Sequence, residues 1–134
     1  MQTFLPYSNI RKSVQVLDSK RLGKQRVEAF QILNIILNRT KKLGWRNHPA
    51  VNMWRGYPNF LKIYINESIS EWISRGFKNT MKFERIRGKI RIPDWFGNKT
   101  FHSSHKSNLL RKNQSYYSQF NWKEKNNLPY FWPV

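Results

Sequence analysis

The chain has 134 residues, with 25 Lys and Arg against 7 Asp and Glu, and a formal net charge of +18. This length fits one domain, and an aromatic content of 16% is too high for a disordered basic tail. The absence of cysteine excludes a disulfide framework, a thiolate zinc site and a cysteine nucleophile. A compact surface with this much positive charge favours a polyanionic partner, with nucleic acid first and an acidic membrane surface second.

Apolar runs in the sequence are only a few residues long. We therefore expect neither a transmembrane helix nor a signal peptide, and we expect no insertion into a membrane. The expected location is intracellular, in the cytoplasm, the nucleoid or a viral DNA compartment, and the protein is not expected to be secreted.

Helical spacing of apolar residues predicts a single, mainly helical domain over residues 1–134. Ser8 is the predicted cap of a short first helix, and Asp18 the predicted cap of a longer second helix that ends at about Asn38. A short helix over 50–56 and the main core helix over 58–76 follow, the latter beginning at a proline and ending at a glycine.

The second half of the chain contains a basic segment at residues 82–92 that alternates apolar and basic residues around a glycine. This alternation is compatible with a short hairpin or with an extended basic loop. Ser103 or Ser104 is the predicted cap of a short helix that continues through Lys112. The aromatic, proline-containing tail at 128–133 is expected to pack across the surface without regular structure.

Three segments carry a resemblance to a known family when they are taken in order: residues 22–28 (LGKQRVE), 46–49 (RNHP) and 74–77 (SRGF). The chain resembles the pyrimidine-dimer DNA glycosylase superfamily, whose members are similar to phage endonuclease V. It is most similar to a mostly uncharacterised bacterial and viral branch, and that likeness continues through 104–112 and 128–130.

The resemblance implies an all-α fold and a defined chemistry. Characterised members bind damaged duplex DNA, flip a nucleotide and attack the sugar carbon with their own N-terminal α-amine. A Schiff base forms, and a glutamate on the long N-terminal helix assists before strand scission by β-elimination. An α-amine is less basic than a lysine amine, so a larger fraction is neutral and nucleophilic near neutral pH. The resemblance implies no metal and no cofactor.

Carried over to this chain, the resemblance assigns the amine to Met1 and the acid to Glu28. Gln2 is too large for ordinary removal of the first methionine, so Met1 stands where the family has a threonine. The family has its acid directly after an arginine, whereas Val27 separates Arg26 from Glu28 here. We place Arg26 with the catalytic candidates, either as a structural side chain or pointing into a phosphate-binding or base-binding pocket.

Glu28 has a second interpretation from the residues alone, as a surface acid paired with Lys24 one helical turn earlier. His102 and His105 form a His-x-x-His pair that His48 could extend to a metal site. No cysteine or suitably spaced carboxylate completes it, so no metal is expected.

The predicted DNA-binding residues are basic, imidazole and amide side chains in four parts of the chain. They are Arg21, Lys24, Arg46, His48, Lys82, Arg85, Arg87, Lys89, Arg91, His105, Lys106, Asn108, Arg111 and Lys112. The group from 105 to 112 is expected at a helix start, where free backbone amides attract phosphate. Trp45, Trp95 or an aromatic residue of the tail could fill the gap that a flipped nucleotide leaves.

The resulting hypothesis is a base-excision DNA glycosylase, with or without AP lyase activity, that acts on a damaged or modified base in duplex DNA. The alternative is a non-catalytic DNA-binding or DNA-condensing protein that retains the glycosylase fold, favoured by a charge larger than lesion recognition demands. An RNA-binding module has no RNA motif to support it. A membrane-surface role is weakest, because the basic residues do not lie opposite one apolar face.

Overall fold

The structure is a computed structural model that describes residues 1–42 and 44–134. About half of the chain is helical, and no strand occurs in the described residues, which confirms the all-α prediction. The helices are α1 (Ile10–Gln15), α2 (Ser19–Ile36), α3 (Pro49–Asn52), α4 (Pro58–Ser74), α5 (Lys99–Lys112) and α6 (Gln114–Tyr117), followed by a 3-10 turn at Ser118–Phe120. Among the described helices, none is long and apolar enough to span a bilayer.

The two long helices α2 and α4 pack against each other at the centre of the molecule, with α1 across α4, α3 against α2 and α6 against α5. Their contact buries Leu22 and Leu33 of α2 and Leu61 and Ile65 of α4. The predicted start of α4 at Pro58 is confirmed, while the helix ends at Ser74, two residues before the predicted end at Gly76. That glycine has φ +87°, a conformation that side chains with a Cβ disfavour.

The first two helices begin differently from the prediction in one respect. Asn9 caps α1, because its side chain accepts a hydrogen bond from the backbone N of Lys12, so the predicted cap at Ser8 is wrong. Asp18 stands directly before α2 as predicted, but its carboxylate accepts no helix N–H. It instead accepts from the hydroxyl of Tyr117 and from Arg21.

Helix α5 begins earlier than predicted. Asn98 caps it by accepting from the backbone N of Phe101, and Lys99 is its first residue, so the start predicted at Ser103 or Ser104 is wrong. Because of this shift, Ser104 and the residues after it lie inside a helix, and most of them are buried. Free helix-terminal amides are therefore absent from the described segment around residue 105.

Residues 82–92 form an extended segment without strand pairing, which we call the strap. The hairpin alternative is wrong, and the extended basic loop is observed. The strap runs antiparallel to α4, whose side chains bind its backbone. Asn66 both donates to the carbonyl oxygen of Glu84 and accepts from its N–H, Lys62 binds the next carbonyl, and Asn59 donates further along to two strap carbonyls.

Candidate active site

The N-terminal segment passes through the middle of the helical domain, and side chains bind its backbone. Gln25 of α2 accepts a hydrogen bond from the N–H of Phe4 at 2.7 Å. Tyr64 of α4 donates its hydroxyl to the Phe4 carbonyl at 2.9 Å and lies 2.8 Å from the same Gln25 oxygen. All three residues are buried, so this polar group is satisfied inside the core.

Two histidines of α5 bind the backbone of the next residue, Leu5. Leu5 donates its N–H to Nδ1 of His105 at 2.8 Å, and its carbonyl lies 2.7 Å from Nδ1 of His102. Gly97 donates to Nε2 of His102, so the proton of that ring is on Nδ1 and is donated to Leu5. Burial lowers the pKa of both rings, that of His105 to about 3, with His102 contributing further, and both are neutral at pH 7.

These contacts overturn two of the predicted DNA-binding residues. His105 is fully buried against Leu5, and Asn108 is buried and donates to the carbonyl of Ser104 one turn earlier in α5. Neither side chain offers a polar atom to a phosphate on the surface. The His-x-x-His spacing is explained instead by one residue: His105 binds the N–H of Leu5, and His102, one turn earlier in α5, binds its carbonyl.

The structure brings the predicted amine and the predicted acid together. The Met1 nitrogen lies 3.9 Å from Oε2 of Glu28, and the Gln2 N–H donates to the same oxygen at 2.9 Å. The carboxylate is thereby held at the chain terminus, with 26% of the side chain exposed. In the described residues Glu28 forms no ion pair with Lys24. The geometry therefore does not favour the interpretation of Glu28 as a surface acid paired with Lys24.

The amine and Glu28 line a cavity of about 440 Å³. Its cations come from two helices: Lys20, Arg21 and Lys24 of α2, and Lys112 at the end of α5. Arg21, Lys24 and Lys112 were predicted as DNA-binding residues, whereas Lys20 was missed. Lys20 could have been found from the sequence, because it belongs to a run of basic residues at the start of α2, on the same side of the helix as Glu28.

Aromatic rings form one wall of the cavity. Tyr130 and Trp132 of the tail stack with centroids 5.5 Å apart and planes 21° apart, and His48 meets Trp132 edge-on at 5.7 Å. Trp45 is 54% exposed and also meets His48 edge-on, with centroids 5.5 Å apart. Trp95 is buried and donates to the carbonyl of Met53, so it is not available to fill a gap in DNA.

His48 lies in the cavity with a defined tautomer. Its Nδ1 accepts from the N–H of Ala50 at 3.0 Å and caps α3, so the ring proton is on Nε2. Burial lowers the pKa of His48, the charge of the N-terminal amine lowers it further, and Glu28 acts in the opposite direction. The side chain is therefore a neutral donor beside the amine.

Arg26 is not brought to the amine. It lies 4.4 Å above the ring of Trp72 and donates to Asn79 at 2.7 Å, and burial lowers its pKa. Residues 26 and 28 are about 200° apart around a helix, which puts Arg26 on the side of α2 away from Glu28. Its placement with the catalytic candidates is wrong on geometry, and the structural interpretation agrees with these contacts.

The remaining predicted DNA-binding residues lie outside the cavity. Lys106 is 3.9 Å from Glu124, and Arg111 donates to the carbonyls of Asn126 and Leu128, which fixes the tail. Arg46 is exposed in the loop before α3. The five strap residues, Lys82, Arg85, Arg87, Lys89 and Arg91, are all exposed.

An all-helical domain with a cationic cavity around one carboxylate and a terminal amine belongs to the class of small basic proteins suited to a polyanionic ligand. The family model of pyrimidine dimer DNA glycosylase matches residues 1–85. Because this is more than half of the chain, the protein belongs to the pyrimidine dimer DNA glycosylase family. Family membership supports a function of the DNA glycosylase type, in DNA repair, with DNA as the partner. No curated protein and no solved structure matches the chain.

Proposed function

We propose that the protein is a base-excision DNA glycosylase that removes a damaged or modified base from duplex DNA through a Schiff base on the Met1 amine. The observation that carries the proposal is the 3.9 Å separation of the Met1 nitrogen and Glu28 Oε2 inside a cationic cavity. One bridging water covers that distance, and catalytic hydrogen bonds are commonly long before substrate binds. The match to the pyrimidine dimer DNA glycosylase family over residues 1–85 adds support.

In the proposed reaction, the neutral Met1 nitrogen forms a bond to C1′ of the target nucleotide. The bond from C1′ to the base breaks, and the base leaves with its electron pair and takes up a proton. Glu28 accepts the proton that the amine loses. The nitrogen lone pair then opens the sugar ring, O4′ takes up a proton, and the resulting cationic imine lies beside the Glu28 carboxylate.

AP lyase activity would follow from the same imine. When a base removes a proton from C2′, the electron pair of that C–H bond moves toward the cationic imine and gives an enamine. The enamine then forms a double bond between C2′ and C3′, the bond from C3′ to the phosphate oxygen breaks, and the phosphate leaves with that electron pair. Among the described residues that line the cavity, Glu28 is the only one with a carboxylate, so it is our candidate for this base as well. Neutral His48, with its proton on Nε2, is a candidate donor to the opening sugar.

The walls of the cavity suit an extruded nucleotide. A volume of about 440 Å³ is in the usual range for pockets that hold one small ligand. Tyr130 and Trp132 offer ring faces on which a base can stack, while Lys20, Lys24 and Lys112 are placed to pair with the flanking phosphates. This substrate would put the protein in the compartment that holds DNA.

Borohydride trapping on duplexes that carry an abasic site or a modified base tests the chemistry. The wild-type protein should form a covalent adduct, and Glu28→Gln should lower the rate of adduct formation by roughly 10²- to 10⁴-fold. Affinity for the duplex should change little, because glutamine can still accept from the Gln2 N–H. Glu67→Gln is the matched control, since Glu67 pairs with Arg11 outside the cavity.

The identity of the amine is tested in the same assay. Intact mass should show Met1 as the first residue, and an added N-terminal Gly-Ser extension should abolish trapping by displacing the amine from Glu28. Trapping that survives the extension would assign the nucleophile elsewhere.

The second candidate function is a non-catalytic DNA-binding or DNA-condensing protein with this fold. It is favoured by the net charge of +18, much of which lies outside the cavity. It predicts duplex binding by both wild type and Glu28→Gln, with no adduct from either on any substrate.

A further inference from the structure

The strap is bound to α4 through its backbone. Among the described residues, two of its charged side chains have partners: Glu84 pairs with Arg39, and Arg91 lies 5.4 Å above the ring of Tyr57. Carbonyl oxygens of residues 85, 87 and 89 accept hydrogen bonds from Lys62 and Asn59 of α4. Apart from Glu84, the side chains of residues 82–92 are exposed. Among the described residues, the side chains of Lys82, Arg85, Arg87 and Lys89 form no hydrogen bond or ion pair.

The outward charge of the strap is wholly positive. Its one acid, Glu84, is turned inward and receives the guanidinium of Arg39 at 3.2 and 3.3 Å, with 11% of its side chain exposed. Five exposed cations thus lie within ten residues, without a carboxylate of the strap to neutralise them. A row of this kind matches a phosphate backbone, and each phosphate it neutralises releases counterions.

Large apolar side chains are exposed between the cations. Phe83, Ile86, Ile90 and Ile92 are 55%, 37%, 47% and 63% exposed. A surface that only tracked phosphates would not need them. Apolar side chains next to Arg and Lys are the combination with which proteins enter the minor groove of duplex DNA and contact its sugars and base steps. Duplex DNA therefore accounts for both components of the strap.

The strap and the cavity lie on different sides of α2. Glu28 and Lys24 face the cavity, whereas Phe30 and Asn34 form a depression together with Lys82 at the start of the strap. Residues 28 and 30 are about 200° apart around a helix, and a helix with its side chains is about 10–12 Å thick. The strap therefore begins on a side of α2 that does not line the cavity.

We propose that the strap is a second duplex-binding surface, through which one protein molecule bridges two segments of DNA. Binding at the cavity side rests on the proposed function, whereas the contact between the strap and DNA does not. Through such a bridge, a protein molecule bound to one segment of DNA also holds a neighbouring segment. The positive charge that lies outside the cavity then has DNA as its ligand.

The experiment is a capture assay with two undamaged duplexes, one biotinylated on beads and one fluorescent. The strap variant replaces Lys82, Arg85, Arg87 and Lys89 with glutamine. The matched control replaces four other exposed lysines with glutamine and loses the same charge: Lys41, Lys42, Lys123 and Lys125. Sedimentation of each protein at the assay concentration identifies any dimer that could bridge with one surface per copy.

Wild type should capture the fluorescent duplex, and the strap variant should capture at least about tenfold less, while the control loses no more than about twofold. Equal capture by the strap variant and the control would overturn the proposal. Strap-dependent binding to vesicles of phosphatidylcholine and phosphatidylserine, with strap-independent capture of DNA, would assign the surface to a membrane instead and would also overturn it.

Borohydride trapping separates this proposal from the proposed function. Trapping of the wild-type protein is measured beside the capture assay, and the strap variant is compared with wild type in capture alone. Strap-dependent capture without any adduct from wild type would retain the bridge and reject the Schiff-base chemistry. An adduct from wild type together with strap-independent capture would retain the Schiff-base chemistry and reject the bridge.

Discussion

Acidification should destabilise this protein through one buried imidazole. His105 is fully buried, its Nδ1 accepts from Leu5, and burial lowers its pKa to about 3. Protonation would place a second donor against the Leu5 N–H, so the folded state keeps the ring neutral. The unfolded chain takes up the proton near pH 6.5. Stability is therefore fully present above pH 6.5 and is lost as the pH falls from 6.5 toward 3.

The size of the effect follows from this difference in pKa. Each pH unit below 6.5 costs about 1.4 kcal/mol of unfolding free energy, which amounts to about 2 kcal/mol at pH 5. For a domain of this length the corresponding fall in Tm is roughly 6–10 °C. Burial also lowers the pKa of His102, which adds to the loss in the same direction.

The His105→Asn variant isolates this contribution. The side-chain oxygen of the asparagine can lie close to the position of Nδ1 and accept the hydrogen bond from the Leu5 N–H, but the asparagine amide does not titrate. Asparagine is smaller than histidine, so the variant is less stable than wild type at every pH. We therefore compare, for each protein, the loss of unfolding free energy between pH 7.5 and pH 5, measured by urea titration. Both proteins carry the same seven acids, whose contribution cancels in the comparison.

We expect wild type to lose about 2 kcal/mol more than His105→Asn over this range. Equal losses would refute the reasoning. NMR of the imidazole nitrogens in the folded wild type gives an independent check, because His105 should remain neutral at pH 5 with its proton on Nε2. Titration of that ring near pH 6.5 in the native state would also contradict the argument.

Two further predictions concern buried or half-buried polar contacts. Trp54 donates its Nε1–H to the hydroxyl of Thr3 at 2.9 Å inside the core. Trp54→Phe and Thr3→Val should each lower the free energy of unfolding, measured in urea, and the double variant should lower it by about 1 kcal/mol less than the sum of the two single variants. Additive losses would show that the hydrogen bond contributes nothing. Asn59→Leu removes both hydrogen bonds from this side chain to strap carbonyls. Trypsin should then cleave within the strap roughly 5- to 30-fold faster, while cleavage elsewhere is unchanged. An unchanged rate within the strap would mean that these hydrogen bonds do not hold it.

The central helices could be predicted because their signals are local. The apolar spacing of α2 and α4, the proline at the start of α4 and the glycine after its end are all visible in the sequence. The meeting of Met1 with Glu28 was also predictable, but through the family resemblance and not from the residues alone. The distance between their charged atoms depends on how the N-terminal segment is bound.

The environment of α5 could not be predicted from local pattern. Serine is a common helix cap, so the sequence predicted a start at Ser103 or Ser104, and the polar residues that follow suggested a surface. Their partners are distant in sequence: Leu5 is 100 residues from His105 and 97 from His102. A buried histidine bound to a distant peptide has the same sequence signature as an exposed one, so only the tertiary structure distinguishes them.

The way the N-terminal segment is held has a consequence for the candidate active site. The segment has no strand neighbour, so its buried peptides need side-chain partners, and it finds them on α2, α4 and α5: Gln25, Tyr64, His102 and His105. Helix α5 lies wholly beyond residues 1–85, which the family model matches. The position of the Met1 amine therefore depends on a part of the chain outside the match.

The same unmatched part also supplies Lys112, Tyr130 and Trp132 to the cavity walls. The matched residues thus contribute the amine and the acid, while the later residues contribute much of the surface that a base would meet. Under the proposed function, differences in the base recognised should follow substitutions at Tyr130 and Trp132, whereas loss of the reaction should follow substitution of Glu28.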